Sequence, residues 1–357
     1  MGGAMEMVIS DERRMLRDSL RGSLARMAGQ PGLWPALADL GIGAALLREE
    51  DGGMGGTGAD IALIAEETGR AAAQTPMIDS ILLGAATLAA AGGHDDLVER
   101  LIAGDTTAAL ADLEPGQRYS PARGCVARSE GGQTRLSGAK TLVVGGDTAE
   151  WFLVTASDDA NGTGVYLLAG DAPGLTRRGY PLMEGGAGAD LELASCPAHY
   201  LGPRALLDRP IASAVLAICA DAVGVIERVL EMTADYLRTR QQFGQPIGRF
   251  QVLGHRMADL LIELEQARSA SANLAEALDR ADRDLMLAAA KVTLGQTARL
   301  VAEEAIQMHG GIGLTQEYGL GDLVRRLLAA DARFGDADHH LEEFARMTRQ
   351  DAPICRT

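Results

Sequence analysis

After Pro210, apolar residues recur three and four positions apart for three heptads: Val215, Ile218, Ala222, Val225, Val229, Met232 and Tyr236. That spacing lays one continuous apolar stripe along a long helix, and such a stripe is stable only where other helices cover it. Leu253, Met257, Leu260, Leu264 and Ala267 repeat the pattern, and residues 285–308 and 322–328 supply two more segments. The last part of the chain is therefore expected to form a packed antiparallel four-helix bundle.

The rest of the chain divides by its period. Residues 1–107 read as helices: residues 33–42 carry an apolar stripe, the Gly-rich stretch 49–56 breaks it, and Asp60 starts another helix through Arg70. That stretch reads as a plain connection, since a phosphate loop needs a preceding strand and a Lys-Ser/Thr ending. Over 108–206 the pattern changes to short alternating runs around Val126, Leu136, Leu142, Phe152 and Tyr166, separated by Gly-Gly, Asp-Asp and Asn-Gly turns. The expected fold is mainly α with a central β-domain: an N-terminal helical domain (1–107), a middle β-barrel or sandwich (108–206) and a C-terminal four-helix bundle (207–357). Neither an internal repeat nor a low-complexity linker interrupts it.

Of 357 residues, 47% are apolar but only 4% aromatic, so the core is expected to pack through small side chains. A net charge of −16 argues against nucleic acid or an anionic membrane surface as the main partner, and a polyanionic ligand would need a local basic pocket. The longest apolar run, 211–226, is interrupted by Asp221 and is shorter than the roughly 20 residues of a bilayer crossing, so no membrane span is expected. Glu6, Asp11 and Glu12 near the start do not read as a secretory leader, and a cytoplasmic location is expected. Cys125, Cys196, Cys219 and Cys355 are widely spaced, which suits buried small hydrophobes better than disulfides or zinc ligands.

Two stretches carry the chemistry. In residues 236–251, Tyr236, Arg240 and Phe243 fall on one helix face if the helix runs on to Pro246. An Arg, an aromatic ring and several amides at a helix exit suit a ligand with phosphates and a flat ring system, or else a solvated helix end with Phe243 as core filler. In residues 307–313, His309-Gly310-Gly311 reads by itself as a helix stop.

Together these stretches resemble the cofactor-binding signature of the acyl-CoA dehydrogenase family of flavoproteins, and the resemblance runs in order along almost the whole chain. It implies that Arg240, Phe243, Gln251, Gln307, Gly310 and Gly311 reach across a subunit interface to the FAD of a neighbour. It also implies an acyl-CoA substrate, an electron-transfer flavoprotein as acceptor and a homo- or heterotetramer. The family holds the flavin ring with a Thr-Glu-Pro-Gly segment and a Trp-Ile-Thr segment. The matching stretches here are Leu113-Glu114-Pro115-Gly116 and Leu142-Val143-Val144. Each lost hydroxyl removes a hydrogen bond of roughly 0.5–1.5 kcal/mol, and the lost aromatic ring removes a packing surface.

The family reaction takes an α-proton from the acyl thioester, so it needs a carboxylate held as general base. The positions that match the family's Glu hold Phe334 or Gly335, and those matching its minority location hold Ala214 and Val215. Asp331 and Asp336 are the nearest acids; Asp336 is the candidate base, or a capping carboxylate in the turn 335–338. His339 and His340 are expected at the surface. Arg118, Arg123, Arg128, Arg177 and Arg178 could face CoA phosphates or simply be solvated.

Three readings follow. The favoured one is a base-lacking partner subunit that completes the FAD site of a Glu-bearing homologue, as in the heteromeric enzymes of bacterial steroid side-chain breakdown that this chain resembles. The others are a homo-oligomeric dehydrogenase using Asp336 and a flavin-free scaffold. Ala217, Ala220 and Gly224 would permit either a wide acyl cavity or close helix packing.

Overall fold

The computed structural model describes residues 10–27, 32–119, 124–130, 133–158 and 162–351; Glu6, Arg123 and Cys355 lie outside the described residues. The N-terminal part contains α1 (Asp11–Met27), α2 (Leu33–Asp39), α3 (Ile42–Ala45), α4 (Gly58–Arg70), a π-helical segment (Met77–Ala85) that continues into α5 (Ala86–Ala91), and α6 (Asp95–Ala103). Helix α4 starts two residues before Asp60 because Thr57 and Asp60 form a reciprocal capping box: each side chain accepts from the other's backbone N–H.

The middle part is a seven-stranded sheet: β1 (Ala108–Ala111), β2 (Val126–Glu130), β3 (Gln133–Val144), β4 (Trp151–Asp158), β5 (Gly162–Ala169), β6 (Leu175–Pro181) and β7 (Ala187–Pro203). β4 pairs with β5, β5 with β7, β7 with β3 and β3 with β2, and a parallel bridge from Val126 to Ser157 returns to β4. The ring closes into a barrel, with β1 added beside β4 and β6 beside β7. Leu136, Val143, Phe152, Val154, Tyr166 and Leu191 fill its interior.

The C-terminal part holds α7 (Asp208–Thr239), α8 (Gln251–Ala277), α9 (Arg283–His309), α10 (Leu320–Ala332) and α11 (Ala337–Asp351). The fifth helix was not expected as a bundle member, but α11 lies along α9. α7 is the central helix. It is long and apolar enough to cross a membrane, yet 89% of its most apolar stretch is buried inside the protein. Asp221 does not break it, because Arg326 on α10 takes both carboxylate oxygens at 2.9 and 2.5 Å.

Gly224 decides between the two readings of the small residues on α7. A Cβ there would stand 1.9 Å from the Glu66 carbonyl oxygen, and one at Gly69 would stand 2.0 Å from that of Asp221. Helices α4 and α7 thus cross in backbone contact, and the glycines serve packing rather than a wide cavity.

Candidate functional site

The two sequence stretches meet at one end of the bundle. Tyr236, in the last turn of α7, stacks on His309 at the end of α9 with ring centroids 4.6 Å apart. His309 Nε2 lies 3.2 Å from the Tyr318 hydroxyl and Nδ1 2.8 Å from the Ala305 carbonyl. Burial pushes the His309 imidazole below its usual value, toward the neutral form. This aromatic cluster fixes the ends of α7 and α9 relative to each other.

The helix itself stops earlier than the spacing suggested. α7 ends at Thr239; Arg240 turns extended (φ −71°, ψ 121°), and Gln241–Gln242 pair with Gln245–Pro246 in a minimal hairpin. Phe243 (φ 54°) and Gly244 (φ 76°) form its two-residue turn, the left-handed pair a tight hairpin needs. Phe243 is therefore not on a helix face with Tyr236 and Arg240, nor is it core filler: it is 89% exposed, edge-on to Phe250. Arg240, Gln251, Gln307, Gly310 and Gly311 are exposed as well.

The two glycines differ. Gly310 adopts φ 65°, ψ −145°, a region essentially closed to other residues. Gly311 has no left-handed φ, and a Cβ on it would meet nothing within 4 Å. Nothing in this chain requires a glycine there, so the bare backbone is suited to an outside group that approaches closely. With the guanidinium of Arg240, the open ring of Phe243 and two exposed amides, this edge fits a phosphate-bearing cofactor with flat rings.

The barrel face around Leu113 and Leu142 differs in character. Leu113 and Leu142 are 38% and 47% exposed and bring no side-chain hydrogen-bonding atom. They lie on neighbouring segments, since the Thr141 N–H donates to the Leu113 carbonyl at 3.0 Å. Beneath them, the fully buried Lys140 Nζ donates to Glu114 Oε1 at 2.7 Å and to Thr155 Oγ1 at 3.2 Å. Burial pushes the Glu114 carboxyl up, but Lys140 and the Gly124 and Cys125 N–H groups hold it below its usual value. Glu114 thus braces the barrel.

None of the expected base positions presents a free carboxylate. Ala214 and Val215 are buried on α7, and Phe334 (φ 57°) is half-buried in the α10–α11 turn. Asp336 accepts from the His339 N–H at 2.9 Å as the cap of α11 and is ion-paired with Arg118 Nη2 at 2.5 Å. The His339 N–H first, then Arg118 and Tyr119, hold its carboxyl below the usual range, which makes it a weak proton acceptor. Asp331 is buried and accepts from the Ala337 N–H at 3.1 Å.

Several other residues stand where the sequence did not place them. His340 is buried rather than at the surface: its Nε2 donates to the Phe334 carbonyl at 2.9 Å, and burial pushes its imidazole down to about 4. Arg177 donates to the carbonyls of Asp147, Ala149 and Gly170, and Arg178 pairs with Asp190. Arg128 is exposed. Cys125, Cys196 and Cys219 are free and buried. Lys291, Asp79 and Arg333 were missed altogether. Lys291 is buried on α9 and donates to the carbonyls of Ala330, Asp331 and Arg333 at 2.8–2.9 Å, closing the C-terminus of α10. A single lysine in the apolar run 287–294 was the available signal.

Residues 10–104 match the acyl-CoA dehydrogenase N-terminal domain and residues 207–348 the acyl-CoA dehydrogenase C-terminal domain. The acyl-CoA dehydrogenase FadE27 of Mycobacterium tuberculosis is 31% identical over 311 residues, covering 80% of this chain and 79% of the relative. The chain belongs to the acyl-CoA dehydrogenase family. The acyl-CoA dehydrogenases among its relatives are oxidoreductases acting on CH–CH groups, and the family's cofactor is FAD. Acyl-CoA dehydrogenase IpdE2 of the same organism is 28% identical over 87% of this chain and 89% of the relative. Among solved structures, the ChsE4–ChsE5 complex from Mycobacterium tuberculosis aligns with TM-score 0.89 at 26% identity, over 98% of this chain and 100% of the other. The Tcur3481–Tcur3483 steroid acyl-CoA dehydrogenase aligns with TM-score 0.88 at 27% identity, over 96% and 98%.

Proposed function

We propose that this chain is the base-lacking subunit of a heteromeric acyl-CoA dehydrogenase, completing the FAD site of a homologous, Glu-bearing subunit. The assembly would carry out α,β-dehydrogenation of an acyl-CoA thioester in the cytoplasm. The observation that carries this reading is an asymmetry. The edge with Arg240, Phe243, Gln251, Gln307, Gly310 and Gly311 is intact and open to solvent. Meanwhile the base position is Phe334, and the nearest acid, Asp336, is tied up by a cap and an ion pair.

When bound, FAD would supply the hydride acceptor for the β-carbon, and an electron-transfer flavoprotein is the acceptor class that fits its reoxidation. In this reading Arg240 grips a phosphate in a charge-assisted contact, Phe243 covers a flat ring face, and Gln251 and Gln307 supply amide hydrogen bonds. Gly310 and Gly311 let the backbone approach. The receiving face of this chain holds flavin weakly, because Leu113 and Leu142 offer the ring no hydrogen bond. The limits 1–107, 108–206 and 207–357 are proposed as the domain boundaries.

The test is to purify the chain alone, record its flavin absorption and oligomeric mass, and repeat this after co-expression with a Glu-bearing homologue. A colourless chain that gains stoichiometric flavin and dehydrogenase activity only in the mixed assembly is expected. Stoichiometric flavin and turnover in a homo-oligomer, abolished by Asp336→Ala, would replace this reading with a self-sufficient enzyme. Arg240→Ala should weaken flavin retention by the mixed assembly by about 1.5–3 kcal/mol; unchanged flavin content in that variant would remove Arg240 from the site.

A further inference from the structure

A cavity of about 460 Å³ lies where the π-helical segment, the end of β3, α7 and α10 meet. For a pocket in an acyl-binding fold its wall is heavily charged, with Asp79, Asp147, Glu184 and Asp221 against Arg326 and Arg333. Arg326 is fully engaged: Nε and Nη2 take the two oxygens of Asp221, and Nη1 donates to the Ala73 carbonyl at 3.0 Å. Arg333 is not. Its Nη2 donates to Asp79 Oδ1 at 2.5 Å, and among the described residues its other N–H groups have no hydrogen-bond partner, although 22% of the side chain remains open. Asp79 is 8% exposed, and burial pushes its carboxyl up against the pull of Arg333.

This arrangement ranks the possible occupants. A saturated chain would strip water from the open guanidinium and return no acceptor, leaving a charged donor buried and unsatisfied. A carboxylate would bring another negative charge to a wall that already holds four acids against two arginines. A neutral oxygen avoids both costs: a ketone accepts from Arg333, and a hydroxyl can also donate to Asp79.

We propose that this cavity selects an acyl group carrying a ketone or hydroxyl oxygen, held by the unused N–H groups of Arg333, over an unsubstituted or a carboxylated chain. The inference rests on the acyl-CoA reading above and names the class of acyl group that this chain's own cavity takes, whether or not the chain carries a base. Titration calorimetry of the full-length chain with hexanoyl-CoA, 5-oxohexanoyl-CoA and glutaryl-CoA tests it, because these thioesters share one length and differ only in an ethyl, acetyl or carboxylate end. The 5-oxo thioester is expected to bind at least about tenfold tighter than the other two, the scale of one hydrogen bond to a charged group. Arg333→Met alone would leave Asp79 buried without its partner, so the decisive variant is the double substitution Asp79→Asn with Arg333→Met. It should lose the preference from both sides: the 5-oxo thioester weakens, and hexanoyl-CoA binds tighter than to the parent because no guanidinium is left to be stripped of water.

Equal affinities, a preference for glutaryl-CoA, no binding of any thioester, or a preference that survives the double substitution would each overturn the proposal. Failure of the subunit reading shows instead in flavin content and leaves this ranking of thioesters intact.

Discussion

Adding one methyl group at Gly311 separates a role inside this chain from a role toward a partner's cofactor. A Cβ at Gly311 meets no atom within 4 Å, and the residue has no left-handed φ. Gly311→Ala should therefore leave the stability of the chain alone within about 0.5 kcal/mol. In the mixed assembly the same methyl would enter a packed cofactor contact, where overpacking costs about 1–3 kcal/mol. That corresponds to roughly a five- to 150-fold weaker flavin affinity. Gly310 provides the contrast, since its φ of 65° and ψ of −145° would be strained with any side chain. Gly310→Ala should cost about 1–3 kcal/mol in the isolated chain. Urea unfolding of each variant alone, with fluorescence titration of flavin into the assembly, measures both effects. If Gly311→Ala binds flavin as tightly as the parent, or unfolds the isolated chain, the reasoning that places this edge against a cofactor fails.

Two further predictions concern the turn between α10 and α11. Lys291→Met leaves three carbonyls at the end of α10 without their shared donor; burial of the ammonium offsets part of that gain, so a net loss of about 2–4 kcal/mol is expected by urea unfolding. An unchanged midpoint and slope would show that α10 closes without it. His340 titrates at about 4 in the folded protein because of burial, below the ordinary histidine value. Its contribution is therefore complete above pH ~6.5 and is lost progressively as pH falls toward ~4, by up to about 3 kcal/mol. His340→Gln, which keeps a donor for the Phe334 carbonyl, should flatten stability across that window; an identical pH profile for parent and variant would count against the assignment.

Much of the fold was legible in local patterns. The heptads of α7 and α8 and the short alternating runs of the barrel depend on side chains near one another in sequence, so periodicity exposes them. α11 escaped because its apolar stripe, Leu341, Phe344 and Ala345, is short and surrounded by charges, and its packing against α9 makes it part of the bundle. The hairpin at Phe243 escaped because a helical continuation and a two-residue left-handed turn both fit the same residues. The Gly244 conformation, φ 76°, distinguishes them.

The sequence by itself determined the family, the order of helices and strands, and the absence of glutamate at both family positions, because each is a statement about residue identity along one line. Only the tertiary structure decided what the remaining charges do. Asp336 became a cap and ion-pair partner, and Lys291 became the closing donor of α10. Arg333 became a half-used guanidinium in a cavity wall, paired with an aspartate 254 positions away. Such roles depend on which groups burial brings within hydrogen-bond distance and which it cuts off from water. That is fixed by the packing of distant segments, and no spacing in the chain records it.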